Sequence, residues 1–96
     1  MSLRVVAHLI SKVDSVDKTR DVLLGLIEPT CDEAGCIKSE LHKNTADPTD
    51  FTFIEEWTDD ASLDAHLESA HLAAAREKLG DLPAEPADIR RYRLIR

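Results

Sequence analysis

The chain opens on "LRVVAHLI", residues 3 to 10, where β-branched and aliphatic residues predict a strand. Leu3, Val5, Ala7 and Leu9 share one face, and Arg4, Val6, His8 and Ile10 the other. Both faces are largely apolar, which predicts a strand covered by a helix on one side and by another body, such as a second subunit, on the other. Asp14 and Ser15 then offer N-caps, and Val16, Leu23, Leu26, Ile27 and Cys31 follow at helical period, predicting a helix from about 15 to 33. Pro29 lies inside it, four residues after Gly25, so a kinked helix is expected. Gly35 sits where a left-handed cap closes a helix.

Alternation resumes in "CIKSELHKN", which puts Ile37, Ser39 and Leu41 opposite Cys36, Lys38, Glu40 and His42. "TADPTD" reads as a turn, and "FTFIEEWT" as a third strand with Phe51, Phe53, Glu55 and Trp57 on one face. Beyond it, Thr58 or Asp59 caps a helix carrying Leu63, His66 and Leu67, and Ser69 caps a second one, "AHLAAAREKL", that ends near Gly80. His66 and His71 are five positions apart, which on an unbroken helix would set them about 140° from each other. A break at Ser69 lets the two rings converge. "DLPAEPAD" is a loop and "IRRYRLI" the last strand. The order β-α-β-β-α-β, with the second helix split, is the α+β ferredoxin-like arrangement: one antiparallel four-stranded sheet with helices on one face.

Ninety-six residues form a single domain spanning residues 1–96, small enough that pairing with a second copy is an economical way to cover an apolar sheet face. The net charge of −7 opposes binding to nucleic acid. The one basic cluster, "RRYRLIR", alternates as a strand does and reads as a solvated edge with salt bridges. No bilayer-length apolar run and no secretory leader are read in the sequence, so a cytoplasmic location is expected. Cys31 and Cys36 match neither a CxxC redox motif nor half a zinc ribbon, and read as two structural thiols.

Four pieces, "VVAHLISK", "LIEPTCDEAGC", "FIEEWTD" and "ASLDAHLESAHL", taken with Glu55, Trp57, His66 and His71, resemble the antibiotic biosynthesis monooxygenase domain, a family that includes bacterial quinol monooxygenases. The resemblance implies a homodimer whose two sheets pack face to face as an α+β barrel, with a small apolar pocket between sheet and helices in each subunit. It implies oxygenation of a small electron-rich aromatic or quinol without metal, flavin or haem. The substrate, once deprotonated, itself reduces O₂, so the protein supplies a base, a dry cavity and orientation.

On this reading His66 is the catalytic base and His71 the second catalytic candidate. Phe53, Glu55, Trp57 and Leu9 contact the substrate, with Trp57 as a wall and Glu55 as an orienting partner. His8 and His42 carry less weight. The places of the asparagine, tryptophan and histidine used by a haem-degrading branch hold Leu9, His66 and Arg76, so haem breakdown is not implied. Two alternatives stay open: an isomerase of a small phosphorylated metabolite, for which Arg76 and Lys78 are the helical cations available, and a non-catalytic dimeric module that holds a metabolite or serves a stress response. An aromatic content of only 4% argues against a large stacked substrate.

Overall fold

A computed structural model of the chain describes residues 2–96. Its elements are β1 (Leu3–Ile10), a 3₁₀ turn (Val13–Ser15), α1 (Val16–Leu24), α2 (Ile27–Cys31), β2 (Cys36–Lys43), β3 (Asp50–Trp57), α3 (Asp60–Leu67), α4 (Ala70–Leu79) and β4 (Asp88–Tyr92). The strands form one antiparallel sheet in the order β2-β3-β1-β4, the ferredoxin-like topology expected from the element order.

Leu3, Val5 and Leu9 of β1 and Phe51, Glu55 and Trp57 of β3 are buried under the helices, as the alternation predicts. The core falls into two clusters. Leu9, Phe51, Leu23, Leu26, Ala75 and Leu79 pack beneath α1 and α4, and Leu3, Val5, Trp57 and Leu63 pack beneath α3.

Three local expectations are corrected. The helix expected from 15 to 33 is two helices, divided at Gly25–Leu26, and it ends at Cys31. Pro29 is the third residue of α2, where a first-turn amide has no partner within its own helix, so the proline tolerates the new start. Ile37 does not share a face with Ser39 and Leu41. A bulge between Cys36 and Lys38 sets Cys36 opposite Trp57 and leaves Ile37 half exposed. The last strand is also shorter than expected, stopping at Tyr92. Arg91 of that strand and Arg93 just beyond it reach back to α3, Arg91 to Asp60 and Asp64 at 3.0 and 2.6 Å and Arg93 to Asp60, and they hold the Asp60 carboxyl below its usual range.

The split of the second helical segment occurs where its caps place it. Asp59 accepts from Ser62 N at 2.8 Å, and Ser69 accepts from Leu72 N at 3.3 Å to restart the helix as α4. Gly35 closes the passage from α2 to β2 at φ +86°, and a Cβ there would stand 2.1 Å from Ser62 Oγ. Gly35→Ala is therefore expected to cost more than about 2 kcal/mol, from the left-handed backbone alone about 1–2 kcal/mol and the rest from displacing α3. Gly25 has φ −65°, and its Cβ would meet nothing closer than 3.4 Å, so Gly25→Ala should be neutral or stabilise by up to about 1 kcal/mol. Urea unfolding of the pair checks both; equal midpoints would remove the special role of Gly35.

Candidate active site

The two core clusters do not meet completely. Between them lies a cavity of about 150 Å³ whose apolar wall is drawn from both, including Leu9, Leu23, Leu26, Phe53 and Leu63. A dry apolar cavity of about this volume accommodates one benzene-sized ring. The polar groups on its lining include Glu55, His66, Thr30 and Arg76.

Glu55 is 6% exposed, and its carboxylate accepts hydrogen bonds from Trp57 Nε1 at 2.9 Å and from Ser39 Oγ at 3.3 Å. Two neutral donors hold a charge that would otherwise be costly to bury. Trp57, expected as a pocket wall, stands behind the wall instead. Its pairing with Leu3 at the end of the sheet sets it under α3, fully buried, and the cavity opens farther along the strand. Phe53, Glu55 and Leu9 do face the cavity.

His66 comes from the last turn of α3 and is 6% exposed, its ring 4.9 Å from that of Trp57. Its Nδ1 lies 2.5 Å from Glu33 Oε2. His66 also lines the cavity, and with Nδ1 paired to Glu33 its other ring nitrogen, Nε2, is the one left for a substrate. With Glu33 ionised, Nδ1 carries the shared proton, and a neutral His66 presents its free lone pair at Nε2.

His71, the second residue of α4, places Nε2 2.9 Å from the same Glu33 oxygen, and the two rings are 5.9 Å apart. The break at Ser69 thus brings both histidines to one carboxylate. They differ in outlook: His66 lines the first cavity, while His71 lines a second, more open one beside Asp21 and Lys78.

Glu33 was not singled out by sequence reasoning. It lies in the turn between α2 and β2, where its N–H donates to Thr30 O and its carbonyl accepts from Cys36 N, both at 3.1 Å. Gly35 O accepts from Thr58 N at 2.8 Å, tying that turn to the end of β3 and so to α3. The only sequence signal was a carboxylate two residues before the capping glycine.

The remaining candidates stand outside the Glu33–His66–His71 group, although His8 and Arg76 border the first cavity. His8 Nδ1 is 2.8 Å from Thr52 Oγ1 on the sheet's other face, and His42 pairs with Glu40 at an exposed position. Arg76 touches the cavity but directs Nη1 toward Leu67 O at 3.4 Å. Cys31 and Cys36 are free thiols. Burial, followed by the neighbouring Cys31, Glu55 and Glu33, pushes the Cys36 thiol up to about 11, so it supplies no thiolate near neutral pH.

Residues 2–78 match the sequence profile of a family described as antibiotic biosynthesis monooxygenase. The Synechocystis protein sll1783 is 35% identical over 68 residues, which make up 71% of this chain but only 46% of that relative, so the match spans under half its length. A conserved Methanosarcina mazei protein superposes with a TM-score of 0.89 at 32% identity, covering 97% of this chain and 92% of that one. PA3566 of Pseudomonas aeruginosa gives a TM-score of 0.89 at 29% identity over 97% of this chain and 94% of its own.

Proposed function

Because the chain belongs to the antibiotic biosynthesis monooxygenase family, we propose that it oxygenates a single-ring quinol or comparable electron-rich phenol, with His66 as the base. The observation that carries this reading is the pairing of His66 Nδ1 with Glu33 beside an apolar cavity of about 150 Å³ that His66 lines. Volume sets the substrate size, and an apolar wall that displaces water when the substrate binds sharpens the base.

The chemistry balances without a further reductant. His66 Nε2 takes the hydroxyl proton of a hydroquinone, and the phenolate transfers an electron to O₂. Recombination forms a C–O bond at a ring carbon. Loss of that carbon's proton with cleavage of the O–O bond then releases a hydroxyquinone and one water, and the substrate supplies all four electrons. Glu33 holds the Nδ1 proton and stabilises the imidazolium after proton transfer. Phe53 and Leu9 pack on the ring, and Glu55 orients it through a substrate hydroxyl. A phosphorylated substrate suits this cavity less well, since Arg76 is the one arginine or lysine on its lining among the described residues and Glu55 would repel the anion.

The test is oxygen uptake by chelator-treated protein with single-ring hydroquinones under ¹⁸O₂. One labelled oxygen in the product per O₂ consumed is expected. Uptake at the autoxidation rate, or stoichiometric release of peroxide, overturns the assignment.

The sheet face away from the helices carries Val6, Ile10 and Ile54, all only partly buried, between a rim of charged pairs such as Arg4–Glu56. We assign this face to a second copy, the two sheets closing as a barrel. Sedimentation should give a dimer at micromolar concentration; a monomer there defeats the arrangement.

A further inference from the structure

We propose that Glu33, His66 and His71 form a site for one divalent transition-metal ion of the zinc class. Their ligand atoms, Glu33 Oε2, His66 Nδ1 and His71 Nε2, all lie within 4.8 Å of one another. Bonds of about 2.0–2.2 Å to a tetrahedral ion put its ligands roughly 3.4 Å apart. Glu33 Oε2, now 2.5 and 2.9 Å from the two nitrogens, must therefore withdraw by under about 1 Å while the nitrogens close around the ion. The groups that must move are free to do so: Glu33 belongs to a turn, and the His71 side chain is 27% exposed. His66, pinned against Trp57, is the fixed point.

The donor set selects the ion. Two imidazoles and one carboxylate suit zinc, cobalt or ferrous iron and leave positions open for water or an anion, whereas magnesium and calcium prefer all-oxygen sites. The second cavity, lined by His71, gives an ion a route in that does not cross the substrate cavity.

Metal and proton compete for one atom. His66 acts as a base only with its proton on Nδ1 and its lone pair on Nε2. An ion on Nδ1 obliges Nε2 to keep a proton, so the side chain meets the substrate as a donor and no longer as an acceptor. The triad has two exclusive occupants: shared protons, with the base available, or one metal ion, with the base withdrawn. The metal site stands on its own geometry; the loss of activity on loading rests on the base assignment above.

The experiment is titration of chelator-treated protein with Co²⁺, followed by its visible absorption, and with Zn²⁺ in a calorimeter, alongside Glu33→Gln and His71→Ala. One ion per chain, a tetrahedral Co²⁺ spectrum displaced by Zn²⁺, and a Kd raised at least about tenfold in both variants are expected. No binding, or binding unchanged in the variants, overturns the proposal. Should His71→Ala lose its native circular dichroism, the near-isosteric Glu33→Gln decides. Oxygen uptake on the same samples separates the two readings: binding with inhibition that a chelator reverses supports both, and binding with uptake unchanged supports the metal site while removing the base role from His66.

Discussion

Replacing His66 with alanine is expected to lower kcat by about 10²–10⁴-fold while leaving KM within a few-fold, because a positioned general base contributes at that scale. Substrate affinity comes from the apolar wall of Leu9, Phe53 and their neighbours, which the change leaves in place. The truncation does open space beside Trp57, whose ring lies 4.9 Å from that of His66, so some stability is lost as well. His66→Gln keeps most of the volume and retains an amide able to donate to Glu33, yet has no basic nitrogen for the substrate. It should reproduce the loss in kcat with a smaller loss in stability. An unchanged kcat in either variant, measured at saturating quinol against the autoxidation background, would dismiss His66 as the base.

Much of this site was legible in the sequence, for reasons tied to particular residues. The alternation in "FTFIEEWT" placed Phe53, Glu55 and Trp57 on one face, because strand periodicity decides which residues share a face, and the family resemblance implied that this face lies beneath the helices. It could not show how far along the strand the cavity opens, and so Trp57 was expected in a wall that it only backs. Ser69 was readable as a cap, and the cap left His66 and His71 free to converge. What they converge on was not readable. Glu33 is 33 positions from His66, and its approach depends on the left-handed turn at Gly35 packing against Ser62. Such a contact is tertiary and leaves no local period. The bulge at Ile37 escaped for a related reason: one extra residue reverses the alternation without altering composition. At Gly25 and Pro29 a kink in one continuous helix was expected, but a proline in the first turn of α2 bends nothing, and the helix is instead divided upstream.

Trp57→Ala should have a large effect on stability, since Trp57 is the largest of the fully buried side chains among the described residues. The indole is 0% exposed and packs with Leu3, Val5 and Leu63, so deleting it removes the centre of the cluster beneath α3 at a cost of about 3–5 kcal/mol. For a domain of this length that corresponds to a fall in Tm of roughly 15–30 °C. Two effects are mixed in this number, since Trp57 Nε1 is also one of the two donors to the buried Glu55 carboxylate. Trp57→Phe separates them: most of the apolar volume stays, the donor goes, and the expected loss is about 1–3 kcal/mol from a carboxylate held by Ser39 alone. A further Glu55→Gln change in the Phe background removes the charge that lacks its donor, and should recover part of that loss. Denaturant midpoints for the three variants test the sequence of effects. If Trp57→Ala costs under about 1 kcal/mol, the indole is not the centre of this cluster, and the support beneath His66 must come from elsewhere.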